Sequence, residues 1–162
     1  MTVDDDPDFR AILAFLERVG IEVVLEPLAQ QTFLPGLAIR DGRLVVDAAR
    51  LGWPGDLLHE AGHIAVSAPE EREGLNGVRD DPAEEMAAIA WSYAAAVAIG
   101  LDPAMLFHEG GYRGGGQALI DAFTSGDDVG VPMLQYFGMT DGRAATAAPG
   151  SRPYPHMDRW LR

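Results

Sequence analysis

Residues 57–66 read LLHEAGHIAV, an apolar run that contains two histidines four positions apart and a glutamate after the first. In a helix, residues i and i+4 lie one turn apart on the same face, so His59 and His63 can direct both imidazoles at one metal ion. Glu60 can then accept a proton from a zinc-bound water as general base and later donate it to the leaving amine. This HExxH pattern predicts a zinc site. The alternative is a structural pair of histidines in a buried helix.

A catalytic zinc site needs a third protein ligand and one open position. The spacing HExxHxxGxxH for a third histidine is absent, because Val66 and Pro69 stand at the positions concerned. The chain has no cysteine, and two carboxylates, Glu84 and Glu85, open the next predicted helix. Glu84 lies three residues after Asp81 and could bond back to the helix start as part of a capping box. Glu85 has no such local task, so the sequence favours Glu85, with Glu84 as the alternative.

The sequence on either side of the motif predicts the ends of its helix. Asp56 is expected to cap the N-terminus, and the helix should stop near residues 67–69. Residues 69–82 are polar and predict a loop. The helix that follows, residues 82–99, is apolar on nearly every face, which is typical of a buried central helix.

Upstream of the motif, the pattern predicts a helix followed by strands. Apolar residues at helical spacing end before Gly20 and predict an amphipathic first helix: Phe9, Ile12, Leu13, Leu16 and Val19. IEVVLE, residues 21–26, predicts a strand. LAIRDGRLVVD contains two β-rich runs joined by Asp41 and Gly42, a dipeptide that tolerates the positive φ angles of a two-residue hairpin turn.

Downstream of residue 99, the sequence predicts helices and loops. Three further short helices are expected, over residues 102–108, 117–124 and 131–139. The glycine-rich stretch HEGGYRGGG, residues 108–116, separates the first two. The tail, residues 140–162, is predicted to be loosely ordered except for Trp160 and Leu161. An order of helix, strands and then helices indicates an α+β domain.

The composition limits the classes of protein that the chain can belong to. Its 162 residues predict a single domain over residues 1–162. Lys and Arg number 12 against 25 Asp and Glu, and a net charge of −13 argues against direct binding of nucleic acid. The start of the chain lacks the pattern of a signal peptide, and the longest apolar stretch is too short to span a membrane. A cytoplasmic protein without a membrane anchor is therefore expected.

The motifs together resemble the glutamate-zincin metallopeptidases, and among them the ImmA/IrrE-like family. The resemblance covers about residues 8–99 and has two parts. One is the order of a first helix, a hairpin, a helix with HEAGH and an acid-led helix. The other is a second motif of a glutamate, an alanine, an aromatic and a small residue, matched here by Glu85, Ala88, Trp91 and Ser92. The chain departs from the family at Ile89, where the family usually has Asn or Asp.

The resemblance implies a zincin-like fold, with a small sheet, the HExxH helix, a buried central helix and a helical C-terminal part. It implies Zn²⁺ bound by His59, His63 and Glu85, with Glu60 as general base. It also implies a selective cytoplasmic peptidase whose partner is a protein or peptide substrate. In some relatives that substrate is a regulatory protein, a transcriptional repressor.

Two residues of the glycine-rich stretch are further candidates for the catalytic site. Amide hydrolysis places negative charge on an oxygen that needs a hydrogen-bond donor, and Tyr112 and His108 could supply one. The alternative is a plain turn between helices, with His108 near a helix C-terminus. For the whole chain, the rival to a metallopeptidase is a non-catalytic protein-binding module that keeps a zincin fold, with or without structural zinc.

Overall fold

The structure, a computed structural model, describes residues 5–127, 129–144 and 147–162. Within these residues the elements are, in chain order, α1 (Pro7–Val19), β1 (Val23–Leu25), β2 (Leu37–Arg40), β3 (Arg43–Val46), α2 (Asp56–Val66), α3 (Pro69–Arg72), α4 (Pro82–Ile99), α5 (Pro103–Leu106), a 3-10 helix (Tyr112–Gly114), α6 (Gly116–Ser125) and α7 (Val131–Tyr136). The predicted α+β class is therefore confirmed. None of these helices has the length and apolar character needed to cross a membrane.

The three strands form a mixed sheet in the order β1-β3-β2. β1 runs parallel to β3 and β2 runs antiparallel to it. The predicted hairpin is confirmed: Asp41 and Gly42 connect β2 to β3 with φ angles of 49° and 71°. Positive φ at both turn residues matches the right-handed twist of the flanking strands, which explains the Asp-Gly pair.

Helices α2 and α4 pack against each other in the centre of the molecule. Their contact is close because Gly62 has no side chain: a Cβ there would lie 2.8 Å from the carbonyl oxygen of Ala88. α4 is buried along most of its length, as its apolar sequence predicts, and Trp91 at its middle is fully buried. The middle of α2 and the N-terminal part of α4 are thereby held side by side.

Two local predictions around the motif are wrong. Asp56 does not cap α2: the N-cap residue is Gly55, which makes no side-chain cap, and Asp56 is the first helical residue. Its carboxylate is buried and contacts His108 instead. The segment predicted as a polar loop contains the one-turn helix α3, which begins with Pro69 at a favourable first-turn position.

The chain after Thr140 packs against the core more closely than the predicted loosely ordered tail. Its described residues, 140–144 and 147–162, include no helix or strand. Yet Tyr154 and Met157 are buried, and the hydroxyl of Tyr154 donates a hydrogen bond to the carbonyl oxygen of Ala90 in α4. These apolar side chains are isolated in a polar stretch without helical or strand periodicity, so the pattern does not reveal their burial.

Candidate metal centre

His59, His63 and Glu85 converge at the contact between α2 and α4. The Nε2 atoms of the two histidines are 3.4 Å apart. The Glu85 carboxylate lies across from both, with Oε1 3.2 Å from Nε2 of His59 and Oε2 3.0 Å from Nε2 of His63. Three ligand atoms on a tetrahedral zinc, at its usual bond lengths, are about 3.3 Å from one another. The spacing of these atoms fits the donor set of one metal ion.

Glu85, rather than Glu84, joins the two histidines. Glu84 lies on the other side of the His63 ring, with its Oε1 3.8 Å from Nδ1. Consecutive residues of a helix point in directions roughly 100° apart, so α4 can present only one of the two carboxylates to the Nε2 atoms. Among the described residues, the group able to hold a metal ion consists of His59, His63 and Glu85.

The charges of the cluster favour an ionised carboxylate. Hydrogen bonds from His59 and His63 hold the pKa of Glu85 well below its usual range, against the smaller effect of desolvation. Burial by itself would lower the pKa of His59. The hydrogen bond to Glu85 and the charges of Glu85, Glu60 and Asp56 together outweigh burial, so the net result is a raised pKa. Glu85 therefore places a negative charge between the two imidazoles.

Glu60 is buried beside the cluster. Glu60 is 9% exposed, and burial raises the pKa of its carboxyl group above the usual range. The charges of His59 and His63 act in the opposite direction, while those of Glu85 and Asp56 add to the increase. A carboxylate with a raised pKa holds a proton more readily, which suits a group that must accept a proton and release it again.

Tyr112 reaches the site from the glycine-rich loop. Its hydroxyl oxygen is 3.3 Å from Nδ1 of His59, and the two rings meet edge to face with their centroids 5.6 Å apart. The backbone of Tyr112 and Arg113 has φ angles of 54° and 53°, a conformation that is costly for residues other than glycine. This conformation directs the phenol toward His59, on the side opposite its Nε2 atom.

His108 is not part of the cluster that could hold a metal ion. Its Nε2 lies 2.7 Å from Oδ1 of Asp56, and both side chains are buried. The ring stacks on the indole of Trp53, with centroids 4.3 Å apart and planes inclined by 8°. The pair links the start of α2 to the loop that carries Tyr112, so His108 holds this loop in place.

Asp56 and Trp53 also contribute to this region, which the sequence does not predict. Asp56 precedes His59 by three residues and is thus on the same face of α2, a signal that its assignment as a cap concealed. The contact of Trp53 with His108 spans 55 residues of chain and leaves no local signature in the sequence.

Comparison of the chain with protein-family models, with curated proteins and with solved structures finds no significant match. The case for a function therefore rests on the cluster of His59, His63 and Glu85 and on the side chains around it.

Proposed function

We propose that the protein is a zinc-dependent metallohydrolase that cleaves peptide bonds. The observation that carries the proposal is the convergence of His59, His63 and Glu85 beside a buried glutamate, Glu60. Two imidazoles and one carboxylate are a donor set typical of catalytic zinc, which uses three protein ligands and keeps a fourth position open. The Glu85 side chain is 43% exposed, so the cluster is accessible from solvent on that side.

Each side chain has a distinct task in the proposed reaction. Bound Zn²⁺ would act as a Lewis acid and lower the pKa of a water molecule. Glu60 accepts the proton of the attacking water and passes it to the leaving amine, a transfer for which its raised pKa is favourable. Tyr112 accepts a hydrogen bond from Nδ1 of His59 and so keeps Nε2 free for the metal.

The proposal includes the finer fold assignment that the sequence suggests. A HExxH helix packed beside an acid-led helix and a small sheet supports a zincin-like fold of the glutamate-zincin type. The ImmA/IrrE-like resemblance then suggests a cytoplasmic protein whose substrate is another protein, such as a regulatory protein. The net charge of −13 favours association with a basic substrate.

The test is to measure zinc content and peptide hydrolysis in the same preparations. We expect about one zinc per chain in the wild type and in Glu60→Gln, and loss of zinc in His63→Ala. Hydrolysis of a library of short peptides should fall by at least 10²-fold in Glu60→Gln, because proton transfer contributes that much. Glu70→Gln in α3 and His156→Ala in the tail, away from the cluster, are the matched controls.

The outcomes separate the proposal from its rivals. Zinc in the wild type without hydrolysis of any peptide would favour a binding module with structural zinc. Failure of the wild type to take up zinc would leave His59 and His63 as a structural pair.

A further inference from the structure

Two buried polar atoms beside the metal cluster face each other without a hydrogen-bond partner. They are Nδ1 of His63 and Oε1 of Glu84, and the distance between them is 3.8 Å. His63 is 1% exposed and Glu84 is 8% exposed, so water does not readily compensate for the missing hydrogen bonds. Leaving a buried donor or acceptor unpaired costs about 1–3 kcal/mol, and most such groups in folded proteins are paired.

The orientation of His63 explains why these two atoms belong together. Its Nε2 points to Glu85, 3.0 Å away, so Nδ1 is on the opposite edge of the ring, toward Glu84. A neutral imidazole that binds a metal through Nε2 carries its hydrogen on Nδ1. That hydrogen needs an acceptor, and the Oε1 atom of Glu84 is an acceptor without a donor.

We propose that Glu84 is a positioning residue for the metal site. When the two side chains close the 3.8 Å gap to hydrogen-bonding distance, its carboxylate accepts the Nδ1–H hydrogen bond of His63. That bond keeps the hydrogen on Nδ1, fixes the plane of the ring and leaves the lone pair of Nε2 for the metal. This inference rests on the proposed metal centre. It gives the two consecutive glutamates of α4 different roles: Glu85 binds the metal, and Glu84 orients a histidine that binds it.

The carboxylate of Glu84 is held in place by groups outside the cluster. The backbone N–H of Glu84 donates to Oδ1 of Asp81 at 3.3 Å, which anchors the first turn of α4. Oε2 of Glu84 lies 3.6 Å from Nη1 of Arg79, and the same Arg79 atom is 2.8 Å from Oε2 of Glu71. Arg79 therefore contacts the oxygen that faces away from His63 and leaves Oε1 for the imidazole.

Glu84 could orient His63, or it could stabilise the fold only through its ion pair with Arg79. Substitutions at Glu84 and at Arg79 distinguish these two roles. Removing the partner oxygen of a metal-binding histidine weakens metal affinity about 10- to 100-fold. We expect this loss for Glu84→Ala. Glu84→Gln keeps an oxygen acceptor and should lose only a few-fold. Arg79→Ala removes the ion pairs to Glu84 and Glu71 but leaves Oε1 of Glu84 as the acceptor, so it should lose much less zinc affinity than Glu84→Ala.

The experiment measures the zinc dissociation constant of the four proteins by competition with a chromophoric chelator. In parallel, nitrogen-15 NMR of the zinc-bound proteins reports the protonation of the His63 ring. The wild type should show a slowly exchanging Nδ1–H on His63, and Glu84→Ala should lose it. A structural role alone would not change this signal. If Glu84→Ala fails to fold, a wild-type His63 ring without a hydrogen on Nδ1 would still overturn the inference.

Three results would overturn the inference. Wild-type affinity in a folded Glu84→Ala variant, or a His63 ring without a hydrogen on Nδ1, would show that Glu84 does not orient the ligand. An equal loss of affinity in Arg79→Ala would assign the effect to the ion pair. In these cases the proposed function would stand, whereas a wild type that takes up no zinc would refute both.

Discussion

Glu60 is a chargeable side chain in a buried position, and this position is unfavourable for the stability of the folded protein. Its carboxyl group is buried, and burial is the largest of the effects that raise its pKa. In the metal-free protein, ionisation of Glu60 therefore destabilises the folded state relative to the unfolded state. A residue kept at such a cost to stability is typical of a functional site.

We predict that Glu60→Gln stabilises the metal-free protein at neutral pH. A carboxyl group with a raised folded pKa contributes stability below its unfolded pKa, near pH 4.3, and this contribution is lost as the pH rises through the folded pKa. Glutamine cannot ionise, so the variant keeps the stability that the wild type loses as the pH rises. Between pH 4 and pH 8, the difference in unfolding free energy should grow by about 1.4 kcal/mol for each unit by which the folded pKa of Glu60 exceeds the unfolded pKa.

Urea unfolding in the presence of a chelator, repeated across that pH range, measures the difference. Glu70→Gln, at an exposed position of α3, serves as the control. If the unfolding free energies of Glu60→Gln and the wild type changed with pH in parallel, burial would not raise the pKa of Glu60.

At the scale of single residues, the sequence predicts which residues share a helix face, but it does not predict which way a helix turns its side chains toward a neighbouring helix. His59 and His63 are four residues apart, and this helical spacing is sufficient to place both on one face, with Glu60 directly after the first. Glu84 and Glu85 are neighbours in the chain, so only the rotation of α4 about its axis assigns their different positions relative to His63. Spacing alone does not determine this rotation, because α4 is apolar on nearly every face.

At the scale of elements, the proposed metal centre depends on the contact between α2 and α4. Two of its proposed ligands come from α2 and the third from α4, so the distance between these helices sets the distance between the candidate ligand atoms. The helices approach closely at Gly62, one residue before His63, against the backbone of Ala88. The sequence predicts both helices, whereas their close approach follows from tertiary packing.

We predict that Gly62→Ala reduces both stability and zinc affinity. The added Cβ would lie 2.8 Å from the carbonyl oxygen of Ala88 and 3.2 Å from its Cα, so α2 must move away from α4. Overpacking of this kind costs about 1–3 kcal/mol, which exceeds the gain of about 1 kcal/mol from replacing glycine by alanine in a helix. Displacement of α2 also separates His63 from Glu85.

Unfolding free energy and the zinc dissociation constant of Gly62→Ala are the two measurements. The matched control is Gly52→Ala, since a Cβ at Gly52 meets no heavy atom within 4 Å. We expect Gly52→Ala to resemble the wild type in both. Equal zinc affinity in Gly62→Ala and Gly52→Ala would mean that the helix contact does not set the ligand geometry.

For the whole molecule, the segment that follows Thr140 connects the first helix to the centre of the domain. The indole of Trp160 meets the rings of Phe15 in α1 and Trp91 in α4 edge to face, with centroids 4.9 Å and 5.7 Å away. Nε1 of Trp91 donates a hydrogen bond of 2.9 Å to the carbonyl oxygen of Trp160. The sequence singles out Trp160 in this tail, but only the fold identifies the helices that it joins.

The same segment also covers the C-terminal end of α2. The backbone N–H of Arg162 donates to the carbonyl oxygen of Ala65 at 2.9 Å, and Nη2 of Arg72 donates to the carbonyl oxygen of Arg162 at 2.8 Å. Carbonyls of the last helical turn lack partners within the helix, so the bond to Ala65 satisfies a group that would otherwise need water, and the bond from Arg72 fixes Arg162 beside it. The segment therefore stabilises the helix that carries both histidines.

We predict that Trp160→Ala destabilises the protein by about 2–4 kcal/mol, somewhat less than truncation of a fully buried aromatic residue. The loss arises because the contacts with Phe15 and Trp91 disappear together. Urea unfolding followed by far-UV circular dichroism measures it. Tyr136→Ala removes an aromatic ring from a residue that is 80% exposed and should change stability by no more than about 0.5 kcal/mol. If the two variants were equally stable, residues 157–162 would not be an integral part of the domain, and the packing of Trp160 between α1 and α4 would contribute nothing to its stability.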